Sequence, residues 1–356
     1  MPHGRFPTPA LHRRHFLAGA GSLTLAMVHP LALPAAAQAN KDIATTSFGG
    51  AWGDAYRTMI IEPFMKASGV EVKLKLGSPS EWLTNGLVTR RRPSVDLLML
   101  PYPQSVQAVL QELGAPISEA DIPNMKNVER VWIDQYNGTG VGLDYVAYGM
   151  SVRTDLLPMP IKSWRDLWNP AFKDKLAVPD ISQAGSWELL VMAAKLNGGD
   201  EKNLEPGFEA LKRLRPNIRK FLRGGNEQAQ LLEAGEVVAV AMSTNTTPYA
   251  LQDAGRPVDF LVLEEGSMVG MVSYHVARNA ANPKAALAFI NFALAKEQQV
   301  NFCSKLVAGP VVKDVELVGK AKQRVPPLSR LAFFDWKVLA PRLPELSERW
   351  SREIAV

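Results

Sequence analysis

Few residues in this chain have the types and spacing that bond-making chemistry requires. Beyond residue 39 there is one histidine, His275. A single imidazole cannot build a histidine-rich metal site, and no His-Glu-x-x-His occurs. There is no Gly-x-Ser-x-Gly elbow and no Gly-x-x-x-x-Gly-Lys-Ser/Thr loop. Gly138, Gly140 and Gly142 alternate, but Leu143 breaks the dinucleotide fingerprint. Glu264-Glu265 is an acidic pair in an expected turn, facing water. Cys303 is the only cysteine, so no intrachain disulfide can form. It falls in an apolar helical stretch and is expected to be a buried small hydrophobe. The residues that remain suit recognition. Gly49-Gly50 and Gly185-Ser186 sit at expected helix starts, whose free amide N–H groups favour anions. Phe48 and Tyr102 follow expected strand ends, where open α/β folds bind ligands. No catalytic residue, metal ligand or cofactor is expected.

These positions need a framework, and the sequence supplies one by alternating two periodicities. Ile43 to Ser47 reads as a strand entering Phe48-Gly49-Gly50. A helix follows with Trp52, Ala55, Tyr56, Met59, Ile60 and Phe64 on one face, stopped by Gly69. Val70, Val72, Leu74 and Leu76 alternate with Glu71, Lys73 and Lys75 as a half-buried strand. Val95 to Leu100 reads as a buried strand, and Ser105 to Leu113 as a helix. Ser163-Trp164-Arg165-Asp166 is a capping box. Leu176 to Val178 is a strand, and Gly185 to Leu196 a helix closed by Asn197-Gly198-Gly199. Helices over 227–234 and 283–294 and strands over 237–242 and 258–263 complete the pattern. Strands separated by helices predict parallel sheets covered on both faces. Two Gly-bearing extended segments, 140–152 and 268–277, join the halves. Two crossings between α/β lobes describe a hinged cleft.

The first 39 residues read differently. Arg5, Arg13 and Arg14 precede an apolar run from Phe16 to Leu33, and Ala37-Gln38-Ala39 fits a small-x-small cleavage site. That order is a signal peptide cleaved near Ala39, implying a periplasmic location. Arg13-Arg14-His15-Phe16-Leu17 resembles the twin-arginine export motif. The stretch holds three basic and no acidic side chains, so the 40 basic and 35 acidic residues of the 356-residue chain become 37 and 35 without it. A near-neutral balance argues against nucleic acid as a partner. Arg90-Arg91-Arg92 is the one basic cluster of note, at an expected helix end where cations suit the dipole. A length of this order suggests two domains or lobes.

Ser47-Phe48-Gly49-Gly50-Ala51-Trp52, Ile61-Glu62-Pro63-Phe64 and Gly69-Val70-Glu71-Val72 resemble the opening of the polyamine-type branch of family 1 extracellular solute-binding proteins. Asp96-Leu97-Leu98, Ser163 to Trp168 with Phe172 to Leu176, Gly235-Glu236-Val237 and Asn282 to Ala286 leading into Phe289 to Phe292 continue it in order. The resemblance implies an α/β, two-lobed, periplasmic-binding-protein-like fold of type II, with parallel-rich sheets and a hinged interlobe cleft. Lobe one is expected over 40–147 plus 273–316, and lobe two over 148–272 plus 317–356. It further implies a monomer that captures a small-molecule solute and delivers it to an ABC permease. Binders of that branch hold amines with acidic side chains. By motif position the hinge Trp-x-Asp becomes Gly270-Met271-Val272 here, the second-lobe Trp-Asn becomes Thr244-Asn245, and 184–187 carries no acid. Burying an ammonium without a counter-charge is costly. The expected pocket is therefore Ser47, Phe48, Gly49, Tyr102, Gly185, Ser186, Trp187, Thr244, Asn245 and Gly270, suited to a carboxylate-bearing or zwitterionic solute. A polyamine or opine-like amine is the alternative within the class, and a periplasmic enzyme on the same fold the alternative outside it.

Overall fold

Strand β1 (Ile43–Ser47) lies between β2 (Val72–Leu76) and β3 (Leu97–Pro101), both parallel to it. The computed structural model describes residues 42–355, so the signal-peptide reading of 1–39 lies outside the described residues. Between β1 and β2 the single helix expected from the sequence is α1 (Gly50–Tyr56), a π turn at 57–61, and α2 (Glu62–Ser68). Gly69 ends it at φ 69°, the left-handed cap that glycine adopts freely. β2 is the sheet edge, which is why its alternation buries Val72 and leaves Leu76 exposed. Helix α3 (Pro79–Val88) starts on a reciprocal cap. Glu81 N–H donates to Ser78 Oγ (3.3 Å) and Ser78 N–H to Glu81 Oε2 (2.7 Å). Helix α4 (Tyr102–Leu110) follows β3 and begins three residues earlier than the apolar spacing indicates, with Pro103 in its first turn.

The expected crossings are two long strands. β4 (Val141–Arg153) leads into the second strand set: β5 (Leu176–Pro179), α5 (Ser186–Leu196), α6 (Glu205–Leu214), β6 (Ile218–Leu222), α7 (Gly225–Ala234), β7 (Ala239–Thr244), α8 (Thr246–Asp253) and β8 (Val258–Leu261). β9 (Ser267–Val276) leads back to α9 (Pro283–Ala293) and α10 (Lys296–Leu306). β5 pairs in parallel with β6 and β7, whereas β4 and β9 run antiparallel to each other and to their neighbours β7 and β3. One mixed sheet therefore runs β2-β1-β3-β9-β4-β7-β5-β6. Each parallel set is covered by helices, and the antiparallel pairings belong to the shared strands and to β8.

The tail is β10 (Gly309–Pro310), α11 (Ala321–Arg324), β11 (Leu331–Ala332), α12 (Trp336–Leu339) and α13 (Leu343–Glu353). It touches both sets. Trp336 packs 5.9 Å from Tyr102 at the start of α4, while Arg349 stacks over Phe208 of α6 and forks onto Glu205 at 2.7 and 2.8 Å. One apolar core spans both sets and fully buries Trp132, Trp164, Trp336 and Trp350. Burial of each such side chain contributes on the order of 2 kcal/mol. No helix among the described residues is long and apolar enough to cross a membrane.

Candidate functional site

Directly opposed residues of an antiparallel pair share a face. The β4–β9 register therefore puts Asp144, Val146 and Tyr148 on one face with Val272, Gly270 and Met268. Val146 and Val272 are half-exposed in the middle of an otherwise buried sheet, so this face opens between the two strand sets. It is the floor of a cleft. Gly270 is needed there: a Cβ would stand 2.7 Å from the Tyr148 ring that lies over it.

The first set builds one wall. Ser47 ends β1, buried, with its hydroxyl donating to the Phe48 carbonyl (2.9 Å). Phe48 is half-buried and packs edge-on to Trp52 (5.0 Å) and against Trp82 (5.2 Å). Gly49 and Gly50 are exposed at the α1 start with open space around them. A groove of about 790 Å³ lies between α3 and the β2 end, lined by Gly77, Ser80 and Trp82 among others. Tyr102 is not on this wall. It is buried between Tyr136 and Trp336, on the far side from Asp144, because the tail segment covers it.

The second set builds the other wall around a cavity of about 190 Å³, which Tyr148, Gln183, Ala184, Gln228, Met242 and Thr244 help to line. Gln228 is buried and donates to Ser243 Oγ (2.6 Å), which also receives the Ser151 hydroxyl (2.6 Å). Met242 adopts φ 50°, a strained value for a side-chain-bearing residue. Gly185 adopts φ 94°, which glycine reaches freely, and a Cβ there would also meet the Met242 carbonyl at 2.7 Å. Ser186 is turned back, its hydroxyl directed to the Gln183 carbonyl (2.8 Å), and Trp187 is buried. Asn245 is buried too, donating through Nδ2 to the Val307 carbonyl beyond α10 (2.7 Å), while its Oδ1 has no partner among the described residues. Of the ten expected residues, the structure gathers Ser47, Phe48, Gly49, Gly270 and Thr244 around the cleft and its walls. Gly185, Ser186, Trp187 and Asn245 shape the wall behind it.

Two acids appear that the sequence reading passed over. Glu188 is the third residue of α5 and accepts the Gly185 N–H (3.0 Å), so a carboxylate of the chain itself caps this helix start. Burial pushes its carboxyl up to about 7, with those backbone bonds opposing. Asp144 is 1% exposed, and neither of its oxygens has a hydrogen-bond partner among the described residues. Burial pushes it up to about 7, and the Trp52 side chain nearby opposes the shift. An acid alone in the apolar run 141–152 was the available signal. The sheet face on which it lies was not readable without the register. Glu265 also departs from expectation: it is half-buried and accepts the Ser163 hydroxyl and the Trp164 N–H (3.1 Å). His275 is fully buried, with its Nδ1 3.0 Å from the Thr139 carbonyl, and burial pulls its pKa down to about 4. Among the described residues no group of three or more His, Cys, Asp or Glu could hold a metal ion.

Two strand sets sharing two long strands, with a half-exposed floor and aromatic wall, define an α/β binding protein. The chain belongs to the bacterial extracellular solute-binding protein family, which its residues 59–326 match. It is 28% identical over 292 residues, 79% of each chain, to the spermidine/putrescine-binding periplasmic protein of Salmonella typhimurium. Among solved structures, an extracellular solute-binding protein from Bordetella parapertussis superimposes with a TM-score of 0.80 at 25% identity, covering 89% of this chain and 99% of that one. An ABC transporter protein from Clostridium perfringens superimposes at 0.78 and 26% identity, covering 88% and 99%.

Proposed function

We propose that this chain is the periplasmic receptor of an ABC importer, capturing a small polar solute between its strand sets and presenting it to a permease. The observation that carries the reading is the half-exposed β4–β9 floor between two helix-covered parallel sets. The lobes are 40–147 with 273–316 and 148–272 with 317–356, closing about the shared strands. Binding rather than catalysis is the reading that family membership supports; His275 lies buried against Thr139, and Cys303 is buried. Export uses the twin-arginine route through Arg13-Arg14-His15-Phe16-Leu17. The solute carries a carboxylate or is zwitterionic. Its anionic end is placed at the α1 start, where the exposed Gly49 and Gly50 leave room beside the first-turn amides.

Native mass spectrometry of protein purified from its own periplasm tests this. A stoichiometric solute, released unchanged, is the expected result; a solute released chemically altered would point to an enzyme. A polyamine is the second reading, favoured by two buried acids near the floor and by the names of the relatives. Putrescine and spermidine raise the melting temperature if that reading holds and leave it unchanged if the first does.

A further inference from the structure

The second-set cavity holds polar atoms that the fold leaves unused. It reaches the surface through half-exposed Gln183, Thr244 and Thr247 and through exposed Ala184. Gln228 and Tyr148, only 6% and 7% exposed, also line it. The Ser243 hydroxyl donates to the Thr244 carbonyl (2.9 Å) and accepts the Ser151 hydroxyl (2.6 Å). Any further partner of Ser243 Oγ must be a donor. That orients the Gln228 amide, whose Nε2 points to Ser243 (2.6 Å) and Ser151 (3.3 Å). Its Oε1 is left as an acceptor with no partner among the described residues. The Tyr148 hydroxyl has none either.

These two atoms select what fills the cavity. Among the described residues no charged side chain lines it. An ammonium group would be buried there without a counter-charge. Glu188, the acid that acts on Tyr148, is outside the lining and already accepts the Gly185 N–H. A carboxylate would set acceptor against acceptor at Gln228 Oε1. An alkyl end would leave both atoms desolvated and unpaired. A hydroxyl donates to the amide oxygen and can also exchange a hydrogen bond with the tyrosine. A carboxamide meets the same two atoms, but successive hydroxyls also match the Thr244 and Thr247 hydroxyls at the mouth. The volume of about 190 Å³ holds about six water-sized groups at ~30 Å³ each, which suits a short run of hydroxylated carbons.

We infer that the second-set cavity holds an uncharged, hydroxylated end of the solute, met by Gln228 Oε1 and the Tyr148 hydroxyl, so that a carboxylate-bearing solute is a polyhydroxy acid. This rests on the cleft being the solute site.

Thermal-shift and calorimetric titrations test it with three series of matched length: polyhydroxy acids with the corresponding sugar alcohols, the same acids without hydroxyls, and diamines together with glutamine. At least one member of the first series stabilises the wild-type protein, and the other two series do not. Tyr148→Phe then weakens that ligand by about tenfold. It loses less against the analogue lacking the terminal hydroxyl, whereas a purely structural role would weaken both alike. Gln228→Met, which removes the acceptor at similar length, weakens the ligand too. Circular dichroism and ligand-free melting confirm that each variant is folded. Tyr148→Phe keeps the ring and breaks no hydrogen bond of the fold, so it decides the matter if Gln228→Met does not fold. Equal losses for ligand and analogue, or no loss, overturn the inference. Stabilisation of the wild type by a hydroxyl-free acid, a diamine or glutamine also overturns it but leaves the cleft reading standing. Silence across all three series overturns it as well, and the cleft reading falls with it only if no solute co-purifies.

Discussion

Asp144 on β4 stands directly across from Val272 on β9, on the same face of the sheet, with Val272 half-exposed and Asp144 buried. Opposed side chains in such a pair lie about 4.5–5.5 Å apart at Cβ. A charge can thus pass from one shared strand to the other and stay on the same face of the sheet. The resemblance to amine binders directed attention to position 272, where valine stands, and the acid was one strand away.

That acid has a cost in the ligand-free protein, with a definite sign. A carboxyl near 3.9 in the unfolded chain and about 7 in the fold contributes stability fully present below pH 4. The contribution is lost as pH rises through 7. Glu188 acts in the same direction. Melting curves of the ligand-free protein should therefore show Asp144→Asn raising the melting temperature at pH 8 by about 2 °C or more, with a smaller gain or a loss at pH 5. An equal effect at both pH values would show that Asp144 is already neutral or paired at pH 8.

His275 imposes the opposite limit. Its pKa falls from 6.5 to about 4 on burial, so its contribution is present above pH 6.5 and is lost as pH falls through 4. His275→Asn should flatten the acid limb of the stability curve between pH 6.5 and 4. At pH 7 the variant should be less stable, because the smaller side chain leaves space beside Gly140, where even a Cβ would come within 2.4 Å of the imidazole. An acid limb as steep as wild type would assign that sensitivity to another group.

Gly270→Ala places a methyl group against the Tyr148 ring, 2.7 Å away. Overpacking of this kind costs about 1–3 kcal/mol, measurable by urea unfolding. Because Tyr148 helps line the second-set cavity, solute affinity should fall as well. In the Gly270→Ala/Tyr148→Ala double variant the two losses should add to less than their sum; simple additivity would mean that the ring does not feel the new methyl.

Much of this fold was legible because its strongest signals are local. The shared strands, read at 140–152 and 268–277, are Val141–Arg153 and Ser267–Val276. The Gly69 stop and the α9 span also held to within a residue. Helix α6 went unread although Phe208, Leu211 and Leu214 share its buried face, and its partner Arg349 is far away in sequence. The site was less legible, since it depends on register and on distant cover. Tyr102 follows a strand end as a cleft residue would, but Trp336 covers it from the tail. Asp144 shares the face of Val272 only because of their pairing, and local periodicity does not encode that pairing.

Asn245 offers a handle on closure. It stands at the start of α8 in the second set, and its Nδ2 reaches the Val307 carbonyl, which follows α10 of the first. Val307 holds φ 54° as the left-handed cap of α10. This hydrogen bond ties the walls together beside the floor, and one such bond contributes about 1 kcal/mol. Asn245→Ala removes it without adding bulk. The ligand-free variant should have a larger radius of gyration by small-angle scattering, and its solute affinity should fall by about fivefold, mainly through faster dissociation. If the radius is unchanged while affinity falls, Asn245 touches the solute and does not latch the walls. If both are unchanged, the bond to Val307 forms within a rigid body, and closure turns on some other contact along β4 and β9.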